Sequence, residues 1–256
     1  MKKVNITKFE PLEYAANEAV NTLCANLTFS GANIKKIMVT SCQAAEGKTM
    51  TTMNMMRTFA ALGKTVVYVS GDLRRSPIVQ TYGIRFESDD TVGITHYLAG
   101  MASASEVVYA TNIPGAYLVP VGRDVSNSLS LLSTPRLPAL LDYLSGMFDV
   151  VLVDSPPVGA IIDAAEIAKS CDGTVIVVRY NSVSRRELNE AKRQIERTGC
   201  PILGAVLNEV PMDSYANRRY YNQGYYSQYY SSTSGHSSSL SRGSSSSGIK
   251  RRKRES

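Results

Sequence analysis

Short apolar runs recur along the chain, each closed by glycine, proline or small polar residues. The clearest occupy 35–41, 65–70 and 148–153, with weaker ones at 117–121, 174–178 and 202–207. Ile37, Met38 and Val39, and likewise Val150 to Val153, are consecutive rather than alternating, the pattern of parallel strands covered on both faces. Between these runs the apolar spacing lengthens. From near Gly47 to Leu62, residues Met53, Met56, Phe59, Ala60 and Leu62 fall roughly on one side of a helix, and further helices are predicted at 135–147, 163–170 and 184–198. Strand and helix alternate, which predicts an α/β fold: a doubly wound, mainly parallel sheet with helices on both faces. An earlier helix over 13–28 places Ala19, Leu23 and Leu27 on one face, suited equally to docking and to core packing. The segment 78–90 reads as a flexible loop near the ligand-binding edge.

Beyond residue 210 the periodicity stops. Tyr215, Tyr220, Tyr221, Tyr225, Tyr226, Tyr229 and Tyr230 stand among Ser, Asn, Gln and Gly, followed by a serine-rich stretch to Gly248. Without an apolar period this segment is predicted to be disordered. The organisation is therefore a docking or oligomerisation helix (1–30), a core domain (31–210) and a tail (211–256). The tail holds eight of the 28 basic residues and two of the 22 acidic ones, so the rest is formally neutral. Its cluster Lys250 to Arg254 suits a solvated terminus or an anionic lipid surface, where each cation is worth about 1 kcal/mol. A neutral core without a reader motif argues against nucleic-acid binding. No run of eighteen apolar residues and no signal-peptide core is present, so a cytosolic chain is expected. Cys24, Cys42, Cys171 and Cys200 lack paired spacing, which predicts reduced thiols and no zinc site. Cys42 is either inert or, at a helix N-terminus, reactive. His96 and His236 form no catalytic arrangement.

The chemistry sits at three predicted strand ends. After the first comes Cys42-Gln43-Ala44-Ala45-Glu46-Gly47-Lys48-Thr49 and then a helix. A helix N-terminus offers unpaired N–H groups and partial positive charge to phosphate, Lys48 adds a cation, and the Thr49 hydroxyl can ligate Mg²⁺. Ala45, Glu46, Gly47, Lys48, Thr49 and Met50 are the candidate nucleotide-binding residues. Cys42 stands where the phosphate-loop consensus has its first glycine, so an ordinary strand-turn-helix is the competing reading of the tripeptide. The second strand ends at Gly71-Asp72 and the third at Asp154. Ligands in such folds collect beyond the carboxyl ends of strands, so Asp72 and Asp154 converge on the loop as Mg²⁺ partners, although each alone also suits a turn or helix cap.

Taken together, these residues resemble the bacterial tyrosine kinases of capsule and exopolysaccharide synthesis, in particular the separate cytoplasmic kinase subunit of Gram-positive bacteria. The resemblance runs from about Glu18 into the tail. It rests on Glu46-Gly47-Lys48-Thr49, on Gly71-Asp72-Leu73-Arg74-Arg75-Ser76-Pro77, on Asp149 to Val158 with Asp163 beyond, and on Gly204-Ala205-Val206-Leu207-Asn208. It implies a P-loop NTPase fold using ATP and Mg²⁺. Lys48 would contact the β- and γ-phosphates, Thr49 and Asp154 would hold the metal, Asp72 would act beside them, and Asn208 would contact adenine. The tail tyrosines become the acceptors. Implied partners are a membrane adaptor that regulates polysaccharide chain length and recruits the kinase to the inner face of the membrane, a phosphotyrosine phosphatase, and further copies of the chain.

Two departures qualify the resemblance. The family's Asp-x-Asp is here Ser70-Gly71-Asp72, and a hydroxyl cannot act as a base near neutral pH, which predicts reduced activity. The family's Glu-x-x-Arg-x-x-Arg assembly motif is here Glu18, Asn21 and Cys24, which puts ring assembly in doubt. A degenerate, non-catalytic regulatory module is thus one alternative. A ParA- or MinD-like positioning ATPase is another, disfavoured by Gln43, where that group has a second lysine, and by the tyrosine array.

Overall fold

The computed structural model describes residues 2–211 except Ala32, Arg75, Asp89, Asp90, Ala160 and Ile161. The order is β1 (Lys2–Ile6), α1 (Tyr14–Phe29), β2 (Lys36–Ser41), α2 (Lys48–Ala61), β3 (Val66–Ser70), α3 (Ile78–Thr81), β4 (Ile84–Phe86) and α4 (Ile94–Leu98). There follow β5 (Tyr109–Ala110), β6 (Ala116–Val119), α5 (Ser128–Leu132), α6 (Arg136–Met147), β7 (Val150–Asp154), α7 (Asp163–Ala168), β8 (Gly173–Arg179), α8 (Arg185–Glu196) and β9 (Ile202–Asn208). All belong to the compact unit Met1–Val210.

The strands form one sheet in the order β4-β1-β5-β6-β3-β7-β2-β8-β9. The five from β6 to β8 and the outer β9 run parallel to their neighbours, while β1 with β4 and β5 with β6 are antiparallel. The consecutive apolar residues of the central strands serve both faces. Met38, Val67, Val69, Val151 and Val153 pack with Leu140 and Leu144 of α6, Ile167 of α7 and Ile195 of α8. Ile37, Val39, Tyr68 and Leu152 pack on the other side with Met53, Met56 and Phe59 of α2 and with Cys24 and Leu27 of α1. Each such side chain contributes about 1.5–3 kcal/mol by leaving water, so burial on both faces stabilises the middle of the sheet, from whose strand ends the site loops leave. α8 begins with a reciprocal cap: Ser184 Oγ accepts from Glu187 N at 3.2 Å, and Ser184 N donates to Glu187 Oε2 at 2.7 Å.

Three sequence expectations are corrected. The segment 78–90 carries α3 and β4, because Ile78, Tyr82 and Ile84 are buried. The N-terminal residues form β1, whose alternation places Val4 and Ile6 inside. In α1 the inward face is Val20, Leu23, Cys24 and Leu27, at i, i+3, i+4 and i+7, and Ala19 is exposed. No helix among the described residues is long and apolar enough to cross a membrane. The tail tyrosines lie outside the described residues.

Candidate active site

The loop between β2 and α2 is held from several sides. Gly47 makes the turn into α2 with φ +85°, and a Cβ there would lie 1.9 Å from Asn208 Nδ2, so a side chain is excluded both by backbone and by space. That amide, at the end of β9, donates to Glu46 O at 3.0 Å. The Glu46 carboxylate is buried and accepts from Gln43 N at 2.8 Å, from Ser182 Oγ at 2.8 Å and from Arg179 N at 3.4 Å, which ties the loop to the end of β8. Gln43 Nε2 in turn donates to Glu187 Oε1 at 2.9 Å, at the capped start of α8. Ala45 has φ +60° although it bears a Cβ, at a typical cost of about 1–2 kcal/mol. The braced loop leaves Gln43, Ala44 and Ala45 exposed ahead of the α2 N-terminus, where phosphate is favoured.

Facing this loop is Asp154, the last residue of β7 and 3% exposed. Its Oδ2 accepts from Thr49 Oγ1 at 2.7 Å and from Tyr68 OH at 2.6 Å, and its Oδ1 stands 3.8 Å from Lys48 Nζ. Burial pushes the Asp154 carboxyl above the usual carboxylate range, while Lys48, Tyr68 and Thr49 draw it back and the nearby Asp72 raises it further. Burial likewise pushes the Tyr68 phenol well above its ordinary value, with Asp154 adding to it, so Tyr68 stays a neutral donor. Oδ1 has no hydrogen-bond partner among the described residues. A bare, buried carboxylate oxygen beside a threonine hydroxyl and a lysine fits the oxygen-donor chemistry of Mg²⁺. Among the described residues no three His, Cys, Asp or Glu side chains group together.

β3 lies beside β7 with Ser70 in register with Asp154, and Gly71 N donates to Asp154 O at 2.8 Å. A Cβ on Gly71 would come within 2.9 Å of that oxygen, so glycine lets the two strand ends close together and brings Asp72 to the site. Ser70 is buried, and its Oγ lacks a partner among the described residues. Two residues past Asp72, Arg74 Nε donates to Asp163 Oδ2 at 3.1 Å and to Ser128 Oγ at 2.8 Å; Ser128 also donates to Asp163. This junction, in which Ser128 and Asp163 are buried and Arg74 is partly exposed, ties the loop after β3 to the first residues of α5 and α7. Cys42 is buried, and burial with Glu46 and Glu187 nearby pushes its thiol up to about 11, which favours the inert reading.

Of the residues singled out from sequence, Lys48, Thr49 and Asp154 meet directly. Asp72 stands near enough to act on Asp154 electrostatically. Glu46, Gly47 and Asn208 stack as a bracket, and Ala45 and Met50 flank them at the surface. Sequence reading missed Tyr68, Ser182 and Glu187, and it named Arg74 and Asp163 as carriers of the resemblance without the Ser128 link that joins them. Glu187 alone had a local signal, the capping pattern begun by Ser184.

Similarity to known proteins agrees with the fold. The family described as "AAA domain" matches residues 34–198. The tyrosine-protein kinase CpsD of Streptococcus pneumoniae is 35% identical over 208 residues, which are 80% of this chain and 90% of that protein. The tyrosine-protein kinase YwqD of Bacillus subtilis is 29% identical, over 80% and 86% of the two chains. Among solved structures, the kinase domain of the Escherichia coli tyrosine kinase ETK superposes with a TM-score of 0.72 at 27% identity, covering 78% of this chain and 77% of that one.

Proposed function

Since the chain belongs to the family of bacterial tyrosine-protein kinases, we propose that it is an ATP- and Mg²⁺-dependent autokinase that phosphorylates the tyrosines of its own tail, from Tyr215 to Tyr230, and so regulates the polymerisation or export of a surface polysaccharide. The observation that carries this reading is the meeting of Lys48, Thr49 and Asp154 under a braced loop at a helix N-terminus. Loop amides and the α2 N-terminus would bind the phosphates, with Lys48 as the mobile cation. Thr49 and Asp154 would hold Mg²⁺, which when bound neutralises charge on the β- and γ-phosphates. Asp72 adds a carboxylate at the edge of the same site, and Asn208 beside Gly47 lines the side on which the base would sit.

Transfer of this kind depends chiefly on positioning and charge stabilisation, so a hydroxyl at Ser70 slows the reaction rather than forbidding it. Acceptor tyrosines carried on the kinase's own chain are presented at high local concentration. By the same resemblance, a membrane adaptor with chain-length-regulating function would recruit and stimulate the kinase, a phosphotyrosine phosphatase would reverse it, and copies of the chain would phosphorylate one another. Ser70, uncharged and with no partner for its Oγ among the described residues, favours a second reading, a nucleotide-binding module without catalysis.

The deciding experiment incubates the full chain with ATP and Mg²⁺, alone and with the adaptor's cytoplasmic segment, and maps phosphotyrosine by mass spectrometry. Labelling beyond Pro211 is expected. Lys48→Met should reduce it about a hundredfold, the usual loss when one charge-stabilising donor is removed. Nucleotide binding without any phosphotyrosine would establish the second reading instead.

A further inference from the structure

Tyr68 is the central residue of β3 and has no exposed surface. Its chain neighbours Val67 and Val69 enter one core while Tyr68 enters the other, on the side covered by α2. A strand facing packed helices usually presents only apolar groups, and a buried phenol needs a partner or costs about 1–3 kcal/mol. The partner here is the site itself. Tyr68 OH and Thr49 Oγ1 both donate to Asp154 Oδ2, at 2.6 and 2.7 Å, from two different elements. A carboxylate oxygen accepts two such bonds along its in-plane lone pairs, so together they fix the plane of the group. What remains is Oδ1, without a hydrogen-bond partner among the described residues and 3.8 Å from Lys48 Nζ.

Ser70 continues this seam. It lies two residues beyond Tyr68 and so on the same side of β3, and it is the register partner of Asp154. Two buried oxygens without partners among the described residues, Asp154 Oδ1 and Ser70 Oγ, therefore belong to adjoining positions on the face that Tyr68 anchors.

We propose that Tyr68 is a positioning residue of the kinase centre: its phenol locks Asp154 through Oδ2, so that Oδ1 is the oxygen presented to the Mg²⁺ of the bound nucleotide or to a water on it. This rests on the nucleotide-binding reading above. Tyr68 touches neither nucleotide nor metal, and acts through the carboxylate. Partners of metal ligands commonly change metal affinity 10–100-fold when removed.

The test titrates MgCl₂ into the full chain in the presence of a fluorescent ADP analogue. Tyr68→Phe removes one oxygen and should raise the half-saturating Mg²⁺ concentration about tenfold, with analogue affinity in EDTA unchanged. Tyr68→Leu, which lacks the hydroxyl but keeps an apolar side chain in place, should show the same shift. Thr49→Val serves as the positive control for loss of a ligand. Should either Tyr68 variant lower the melting temperature yet keep the wild-type Mg²⁺ midpoint, the phenol is merely a core residue with a convenient acceptor, and the proposal is overturned. A wild-type chain whose analogue binding ignores Mg²⁺ would instead overturn the underlying reading. The two failures are thus told apart by the wild-type curve alone.

Discussion

At the scale of single residues, Asp154 sets the terms. Burial is the main reason its carboxyl sits above the ordinary range, so the folded protein holds that proton more tightly than the unfolded chain. Stability is therefore lost as pH rises from the ordinary carboxylate value through the raised one, the reverse of the usual paired carboxylate. Asp154→Asn should remove this loss: its melting temperature should exceed that of the wild type near neutral pH and converge with it at about pH 4. Ser70→Asp places a second acid beside the first in a buried position, and should deepen the loss by about 1–3 kcal/mol near neutral pH. Melting curves of the three proteins between about pH 4 and 7 check both; a Ser70→Asp curve parallel to the wild type would mean that the two positions do not feel each other. Much of this site was legible in the sequence because its members are local. Lys48 and Thr49 follow a strand and open a helix, while Asp72 and Asp154 close strands. Tyr68 was hidden among valines, since no chain pattern says which member of an apolar strand will face an acid 86 residues away.

Among the elements, the long helices and central strands follow from periodicity, and their ends shift by only a residue or two. The short pieces do not. β4 spans three residues and β5 two, and each exists because of a partner far along the chain. α1 shows how a face can be misread by one position: Ala19 and Leu23 suggested one stripe, but packing on α2 turns Cys24 inward, with its thiol near Met55 O at 3.9 Å. Burial pushes that thiol up to about 12, so it is neither charged nor reactive at neutral pH. Asn21, by contrast, stays at the outer face and donates to Glu18 at 3.1 Å. The two positions that carry arginine in the assembly motif are thus unequal. Cys24→Arg should bury an unpaired guanidinium and destabilise by about 3 kcal/mol or more, whereas Asn21→Arg should be tolerated within about 0.5 kcal/mol. Chemical unfolding measures both, and equal stability of the two variants would show that α1 does not pack as described.

For the whole molecule, charge and connectivity matter most. The segment from Pro211 has eight basic and two acidic residues and carries the entire excess of the chain, while the compact unit is neutral. Three or four phosphotyrosines, each adding about −1.5 to −2, would cancel it. The unphosphorylated full chain should therefore sediment with anionic vesicles at low salt, and the phosphorylated chain should not; equal sedimentation would separate tail charge from membrane affinity. Connectivity has a different consequence. β1 is threaded between β4 and β5, so Lys2–Ile6 cannot join the parallel part of the sheet until Tyr109 and Ala110, about a hundred residues later in the chain, have been made. At usual rates of synthesis that interval is roughly 5–20 s, during which Val4 and Ile6 can be covered by β4 alone while the earlier strand waits for its second neighbour to be seated.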